Sequence, residues 1–419
     1  MRVLLLGGGG REHALGWKLV QSPLLTELIS APGNPGLASL GETVDVNPLD
    51  PETVAAFAAE RGIDLVVIGP EAPLAAGVVD ALDASGIPAF GPTASGARLE
   101  ASKAYAKDLM ARAGVPTAAA RVFTDVEAAD SYLDEIPGPF VVKADGLAGG
   151  KGVLVTTDRD AAKAWATACL GGAFGDAGST IVIEEHLEGR EVSVFALVDG
   201  ERALPLAPAR DYKRLRDADE GPNTGGMGSF SPVDDLPDDL VDHTIVAAIE
   251  PVLGALAVDD VLYRGFLYVG LILTDDGPKV LEFNCRMGDP EAQAILPRLD
   301  EDLLELMAAA SAGALPDRAL RWSETAAVDV VLASAGYPAA PERGAVISGV
   351  ANAEKHPDVL VIHAGTAETD AGLVTAGGRV LNVVGLGDSV ETARFAAYAA
   401  VGEIEFAGMQ MRTDIGEMS

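Results

Sequence analysis

The sequence predicts a mixed α/β and α+β protein: a doubly wound parallel sheet first, a larger α+β centre with a mobile flap lobe next, and a small α+β domain last. Three observations lead there. Residues 1–100 alternate short apolar runs with helical patterns, as a parallel sheet covered by helices on both faces requires. The stretch Val141-Val142-Lys143-Ala144-Asp145-Gly146-Leu147-Ala148-Gly149-Gly150-Lys151-Gly152-Val153 reads as a strand, a loop with four glycines, and a second strand. From about residue 324 strand patterns dominate, and a helix at 390–401 follows them. The expected units are 1–100, 101–323 (flap lobe at about 118–190) and 324–419.

Composition narrows the function. With 419 residues, 48% of them hydrophobic, the chain can fill two or three cores. No uninterrupted apolar run reaches membrane-spanning length. The apolar start at 1–7 is short and ends in glycines, which reads as a buried first strand of a cytoplasmic protein rather than a signal peptide. Two cysteines and five histidines offer neither a disulfide framework nor a zinc set. Acidic residues number 63 against 30 basic ones, a formal charge of −33, which argues against nucleic acid or anionic membrane as partner. An anionic substrate must therefore be met by a local cluster of Lys, Arg and backbone N–H groups. A monomer is expected.

In the first unit, strands are expected at 2–6, 27–31, 64–68 and 88–91, with helices at 11–20, 51–61 and 74–84. The turn Gly7-Gly8-Gly9-Gly10-Arg11-Glu12-His13 resembles a dinucleotide fingerprint, but Glu12 stands where its third glycine belongs. The second strand also ends in Ala31-Pro32-Gly33, without the acid that would hold a ribose, so an NAD-dependent oxidoreductase is disfavoured. A helix N-terminus behind a glycine turn still attracts an anion such as a sugar phosphate. Gly69-Pro70-Glu71 follows the 64–68 strand, where doubly wound sheets bind ligands. Glu71 is either a helix-start carboxylate or an acceptor for sugar hydroxyls.

In the centre, a helix at 101–114 opens with Ser102 and Lys103, the latter ambiguous by itself. Strands at 118–123 and 139–144 flank a helix at 126–133. Glycines in the following loop free the backbone to approach phosphate oxygens, and Lys143 and Lys151 border it with positive charge. Lys143 sits inside an apolar strand, where an unpaired ammonium is costly. The loop is not the G-x-x-x-x-G-K-[ST] phosphate loop: its spacing is one residue short, Gly152 replaces the hydroxyl, and a strand follows. After a helix at 161–170, the 181–185 strand runs into His186-Leu187-Glu188-Gly189-Arg190-Glu191 and a strand at 192–198. This passage suits a hinge where backbone groups grip a base and Glu191 accepts from ribose; an exposed acidic turn is the alternative. The connection 205–237 reads as long and irregular, and such connections are usually binding loops. It carries Asp211-Tyr212-Lys213-Arg214 and Gly221-Pro222-Asn223-Thr224-Gly225-Gly226-Met227-Gly228-Ser229.

The strongest chemistry lies in Val280-Leu281-Glu282-Phe283-Asn284-Cys285-Arg286-Met287-Gly288-Asp289-Pro290-Glu291. Residues two apart on a strand share a face, so Glu282, Asn284 and Arg286 point together, away from Phe283 and Cys285. A carboxylate with a carboxamide suits a hard cation such as Mg²⁺, and Arg286 adds a planar donor for carboxylate or phosphate. In the last unit strands are expected at 325–333, 344–349, 359–363 and 379–386, and no motif there demands catalysis.

A strand–loop–strand phosphate flap points to the ATP-grasp architecture, in which ATP lies between two α+β lobes. The glycine turn at 9–13, Gly69–Leu74, Lys143–Ala148, Gly221–Gly228 and Arg286–Gln293 together resemble the phosphoribosylamine–glycine ligase family over essentially the whole chain. That resemblance implies a reaction: ATP, glycine and 5-phosphoribosylamine give glycinamide ribonucleotide, ADP and phosphate in purine biosynthesis, through a glycyl phosphate. It also implies roles. Lys103 and Lys143 would contact ATP phosphates, with Gly146, Gly149, Gly150, Lys151 and Gly152 closing over them. Glu184, Glu185, Leu187 and Glu191 would hold the nucleoside. Glu282 and Asn284 would bind Mg²⁺ or Mn²⁺. Arg286, Asp211, Thr224, Gly226 and Met227 would orient glycine and the acyl phosphate, with Arg286, Asp211 and Lys143 as the catalytic set. Gly9, Gly10, Glu12, Pro70, Glu71, Gly288 and Asp289 would meet phosphoribosylamine. Many ATP-grasp enzymes carry a further acidic ligand on the preceding strand, where this chain has Gly270. Another ATP-grasp carboxylate–amine ligase would share the flap and metal strand. A non-catalytic ATP sensor is opposed by the intact Glu282/Asn284 pair.

Overall fold

In a computed structural model describing residues 1–147 and 152–417, strands β1 (Arg2–Gly7), β2 (Glu27–Pro32), β3 (Glu42–Thr43), β4 (Leu65–Ile68) and β5 (Ala89–Phe90) form a parallel sheet in the order β3-β2-β1-β4-β5. Val3, Leu4, Leu5 and Leu6 are all fully buried, which explains why β1 is apolar without alternation: helices cover both its faces. The strand order reverses beside β1, so the crevice beyond the ends of β1 and β4 receives the 7–10 turn and Gly69-Pro70. The helix expected at 74–84 is instead two short helices, Glu71–Ala75 and Val78–Ala84, because Gly77 takes φ +86° between them.

The flap lobe is an antiparallel sheet of β6 (Ala120–Phe123), β7 (Phe140–Ala144), β8 (Val153–Thr156) and β9 (Ile181–Glu185), ordered β6-β9-β7-β8. Helices Val126–Glu135 and Arg159–Ala168 pack on it around Leu133, Phe140, Val142, Ala166 and Ile183, a small core of its own. Lys151, Gly149 and Gly150, proposed to close over phosphate, lie outside the described residues.

The second lobe begins with β10 (Arg190–Asp199) and β11 (Ala203–Pro205). The connection expected to be irregular is not: it carries β12 (Arg210–Asp211), β13 (Arg214–Arg216), β14 (Glu220–Asn223) and β15 (Gly228–Ser231). These strands are two to four residues long and β12 and β15 join a sheet completed far downstream, so no local periodicity marked them. β16 (Arg264–Thr274) and β17 (Gly277–Asn284) then close the lobe's sheet, β11-β10-β16-β17. Between β15 and β16 the helical stretch Leu240–Val258 is long and apolar enough, by length and composition alone, to cross a membrane. Here one stripe of it, including Leu240, Ile249, Val252 and Leu256, packs into the main core.

The last sheet runs β12-β15-β18-β22-β19, with β18 (Ala326–Ala333), β19 (Val359–His363) and β22 (Arg379–Gly387), while β20 (Thr366–Thr369) and β21 (Gly372–Thr375) form a separate hairpin. Residues 344–349, expected as a strand, make only isolated bridges, Val346 to Val374 and Ser348 to Glu405. Helix Val390–Val401 lies so close to β22 that a Cβ on Gly385 would sit 2.1 Å from the Ala393 carbonyl oxygen and 2.4 Å from the Ala397 nitrogen. Both obstacles are backbone, so a side chain must push the helix off the sheet. Gly385→Ala is expected to destabilise the fold by about 2 kcal/mol or more, read as a lowered urea midpoint; an unchanged midpoint would contradict this packing.

Candidate active site

A cleft of about 560 Å³ opens between the flap lobe, the second lobe, the start of the helix Gly10–Leu19 and the last sheet. At its flap end, helix Lys103–Ala113 is capped by Ser102, whose Oγ accepts from the Tyr105 N–H at 3.1 Å. Asp145, at the flap's root, accepts from the Ala104 N–H at 2.6 Å and from Ser102 Oγ at 3.0 Å, a carboxylate at a helix N-terminus. Lys103 Nζ donates to the carbonyls of Asp145 (3.3 Å) and Gly146 (3.2 Å), which aims the ammonium across the cleft mouth. Gly146 lines the cleft, and its glycine is also a packing requirement: a Cβ would stand 2.6 Å from that of Ala177.

Glu184 is the hub of this end. Its side chain is 3% exposed, and its Oε2 lies 2.9 Å from Lys143 Nζ and 3.4 Å from Lys107 Nζ. Rather than standing free for a nucleoside, the carboxylate is engaged by two lysines, and Lys143 is thereby paired inside its apolar strand. Lys107 also donates to Thr117 Oγ1 at 2.8 Å and the Ala118 carbonyl at 3.2 Å. Burial lowers the pKa of both Lys103 and Lys107, against the opposing pull of nearby carboxylates. In the hinge, the Glu185 N–H is already bonded to the Ala119 carbonyl at 2.8 Å. The Leu187 N–H meets no acceptor among the described residues and borders the cleft. Glu191 lines the cleft paired to Lys213.

On β17 the expected alternation holds, with one irregularity. Gly270 faces Glu282 while Leu271 faces Val280, so Leu281 is a bulge residue. Phe283 and Cys285 are core residues at 2% exposure each, Phe283 also touching the cleft wall, while Glu282, Asn284 and Arg286 line the cleft. The Glu282 carboxylate has no hydrogen bond or ion pair among the described residues. The walls of the cleft partly desolvate this solvent-exposed residue and so oppose its charge, but Lys213, Lys143, Lys103 and Arg286 outweigh that and keep it ionised below the usual carboxylate range. The departure at Gly270 leaves room: a Cβ there would lie 3.2 Å from Glu282 Cγ. Among the described residues no group of three or more His, Cys, Asp or Glu could hold a metal. The donor set available is thus one carboxylate and one carboxamide, which fits a Mg²⁺-type ion completed by phosphate oxygens and water.

Arg286 Nη2 donates to Glu100 at 2.6 Å, and its Nε lies 3.3 Å from Glu71. Glu71 is therefore an arginine partner in this structure. Glu100 also accepts from the Cys285 N–H at 2.7 Å, and burial pushes its carboxyl up to about 6 against the pull of Arg286. Asp211 is 8% exposed on its side chain, with Lys213 its nearest cation at 4.0 Å. Burial pushes it up to about 7, opposed by Lys213. Lys213 is held well above its ordinary value, Asp211 and Glu191 outweighing its burial.

At the remaining end stand Pro70, Glu71, Thr224, Gly225, Gly288, Asp289 and two arginines, Arg11 and Arg379. Several of the candidates do not line the cleft. Glu12 is 2% exposed and caps its own helix, accepting from the Gly9 N–H and Arg11 Nε at 2.6 Å each. Gly9, Gly10 and Glu12 do not line the cleft; Arg11 does. Gly10 is instead pressed against Asn382 and Gln293, each 2.6 Å from a built Cβ. Met227 is wholly buried with Leu215 and Ala333, and Gly226 abuts Pro290 rather than the cleft. Sequence reasoning missed Lys107, Glu100, Arg11 and Arg379. Lys107 had a signal, since it lies four residues after Lys103 on one helix face; the others are brought in by distant segments.

Comparison with known proteins decides the family. Residues 1–100 match the phosphoribosylglycinamide synthetase N domain, 101–292 its ATP-grasp (A) domain and 327–418 its C domain. The chain belongs to the phosphoribosylglycinamide synthetase family. The phosphoribosylamine–glycine ligase of Rhizobium meliloti (strain 1021) is 49% identical over 416 residues, 99% of this chain and 98% of that one. A crystal structure of phosphoribosylamine–glycine ligase from Thermotoga maritima aligns with TM-score 0.86 and 35% identity, covering 99% of this chain and 100% of that one. The biotin carboxylase domain of Hydrogenobacter thermophilus 2-oxoglutarate carboxylase, solved with MgADP, shares the fold at TM-score 0.73 and 18% identity, over 98% and 91% of the two chains.

In a synthetase of this build, Glu184→Gln leaves two buried ammonium groups without a counter-charge. It is expected to destabilise the fold by about 3 kcal/mol and to raise the KM for ATP, measured by urea unfolding and initial rates. Wild-type stability together with wild-type KM would sink the hub role.

Proposed function

We propose that the cleft brings ATP, glycine and 5-phosphoribosylamine together, and that the enzyme joins glycine to the amine with release of ADP and phosphate, giving glycinamide ribonucleotide. The observation that carries this reading is the Glu282 carboxylate: ionised, facing the cleft, ringed by Lys103, Lys143 and Lys213, and without a protein partner among the described residues. Such a group awaits a cation, and the cations around it await a phosphate chain.

A carboxylate does not acylate an amine at useful rates, so glycine is first phosphorylated. The γ-phosphoryl group passes to the glycine carboxylate, the amine then attacks the acyl carbon, and phosphate leaves. Catalysis of such transfers is chiefly positioning and charge neutralisation. Lys143 and Lys103 hold the phosphates at the flap end, and the hinge backbone near Leu187 takes the base. Glu282 and Asn284 would hold Mg²⁺ or Mn²⁺, which would supply charge neutralisation to the phosphate chain. Arg286, kept rigid by Glu71 and Glu100, faces the transferred group. Asp211 receives the glycine ammonium. Gly149, Gly150 and Lys151 are assigned to phosphate closure, in keeping with the family resemblance.

The same reading takes the enzyme as a cytoplasmic monomer with small-molecule partners alone, in keeping with its charge of −33. It divides the chain into units at 1–100, 101–323 and 324–419.

Glu282→Ala is expected to lower kcat/KM by about a thousandfold or more while leaving the circular dichroism spectrum unchanged; ADP release requiring all three substrates is the assay. Turnover near wild type with Mg²⁺ present refutes the metal assignment. Asp211 gives a second test. Its carboxyl is raised to about 7, so it is neutral below that pH and charged above it. Capture of an ammonium needs the charged form, so kcat/KM for glycine should climb as pH rises through about 7. Asp211→Asn should give a low profile without that step; an unaltered profile in the variant removes Asp211 from the glycine site.

A further inference from the structure

The C-terminal unit carries no motif of its own, yet Arg379, the first residue of β22, lines the cleft. Its Nη1 donates to the Gly225 carbonyl at 2.7 Å and the Asp289 carbonyl at 2.5 Å, and lies 3.4 Å from Asp289 Oδ1. Two loops from the second lobe are thus fixed on one nitrogen. None of the hydrogen bonds among the described residues uses its Nε or Nη2. The side chain is 21% exposed, so these donors sit at a partly dry, open edge. Arg11 comes to the same loop from the opposite side, its Nη1 on the Met287 carbonyl at 3.2 Å and its backbone N–H 3.5 Å from Asp289 Oδ2.

Lysines gather at the flap end and, together with Arg286, around Glu282, while at the other end two further arginines, Arg11 and Arg379, stand by Asp289. A planar fork of donors suits a phosphate monoester, whose oxygens accept two parallel bonds, better than an ammonium does. On the proposed reaction one substrate brings such a group: the 5-phosphate of the ribosylamine, far along the sugar from its reacting nitrogen.

We propose that Arg379 is a specificity-determining residue that receives the sugar phosphate of the acceptor substrate, with Arg11 opposite it, so that the C-terminal unit completes the acceptor site. This rests on the ligase reading above. A residue that only stapled Gly225 to Asp289 would affect all substrates alike; a phosphate receptor affects one.

The test uses the full chain with ribose 5-phosphate and ribose as unreactive probes, titrated calorimetrically, alongside initial rates with the three substrates. Wild type should prefer ribose 5-phosphate to ribose. Arg379→Met should weaken ribose 5-phosphate by about thirtyfold and abolish that preference, the size expected for a lost charge-assisted fork. Arg379→Lys, which keeps the charge but not the fork, should fall between. The KM for phosphoribosylamine should rise in step while those for ATP and glycine stay within about twofold. Should Arg379→Met unfold, the Arg379→Lys titration decides alone. An unchanged probe preference in the folded variants, or an equal loss for all three substrates, overturns the assignment. Wild type that binds ribose 5-phosphate but fails to turn over the three substrates would instead overturn the proposed reaction.

Discussion

A guanidinium drawn out of water needs anions at hydrogen-bond distance, and the arrangement of the cleft follows from how Arg286 finds them. Its two carboxylates come from different places: Glu71 begins a helix after β4, and Glu100 ends the helix Ala94–Ala101. Breaking such a buried pair by removing one partner costs several kcal/mol, because the remaining charge cannot be rehydrated. The first unit is therefore bound to the end of β17 by charge as well as by apolar contact. Arg286 is fixed two residues beyond Asn284, and Glu100 reaches the backbone of Cys285 as well. Glu282 and Asn284 are held in orientation by their own strand and by what lies at its end.

The same logic recurs at the flap, with signs exchanged. Glu184 is the anion that lets Lys143 and Lys107 stay inside the protein, and Asp145 gathers the helix that carries Lys103. A chain of charge −33 thereby keeps seven Lys and Arg side chains, among the described residues, around one cleft, each steadied by a nearby acid or carbonyl. Incoming phosphates meet a site already organised, so little reorganisation remains for the moment of reaction.

Much of this was legible before any coordinates. Local patterning found the buried apolar β1, the helix Pro51–Arg61 and the Glu282/Asn284 face of β17, but not the break at Gly77 or the isolated bridges at 346 and 348. Glu12 marks a limit of spacing: a carboxylate three residues into a helix can bind a ligand or cap its own helix, the pattern is identical for both, and here the side chain caps. Met227 sat in a glycine-rich passage that looked like a loop, yet its side chain fills a small core against Leu215. Arg379 and Glu100 could not be found by any window, since the residues that give them meaning lie 154 and 186 positions away.

The placement of β15 has an outcome for the birth of the protein. Its buried residues, Gly228 to Ser231, pair with Ala327 to Val330 of β18. On the ribosome that edge stays open while roughly a hundred further residues are made, and an unpaired strand edge is a template for wrong partners. The central lobes thus emerge before the strand that seals them, and maturation waits on the last quarter of translation.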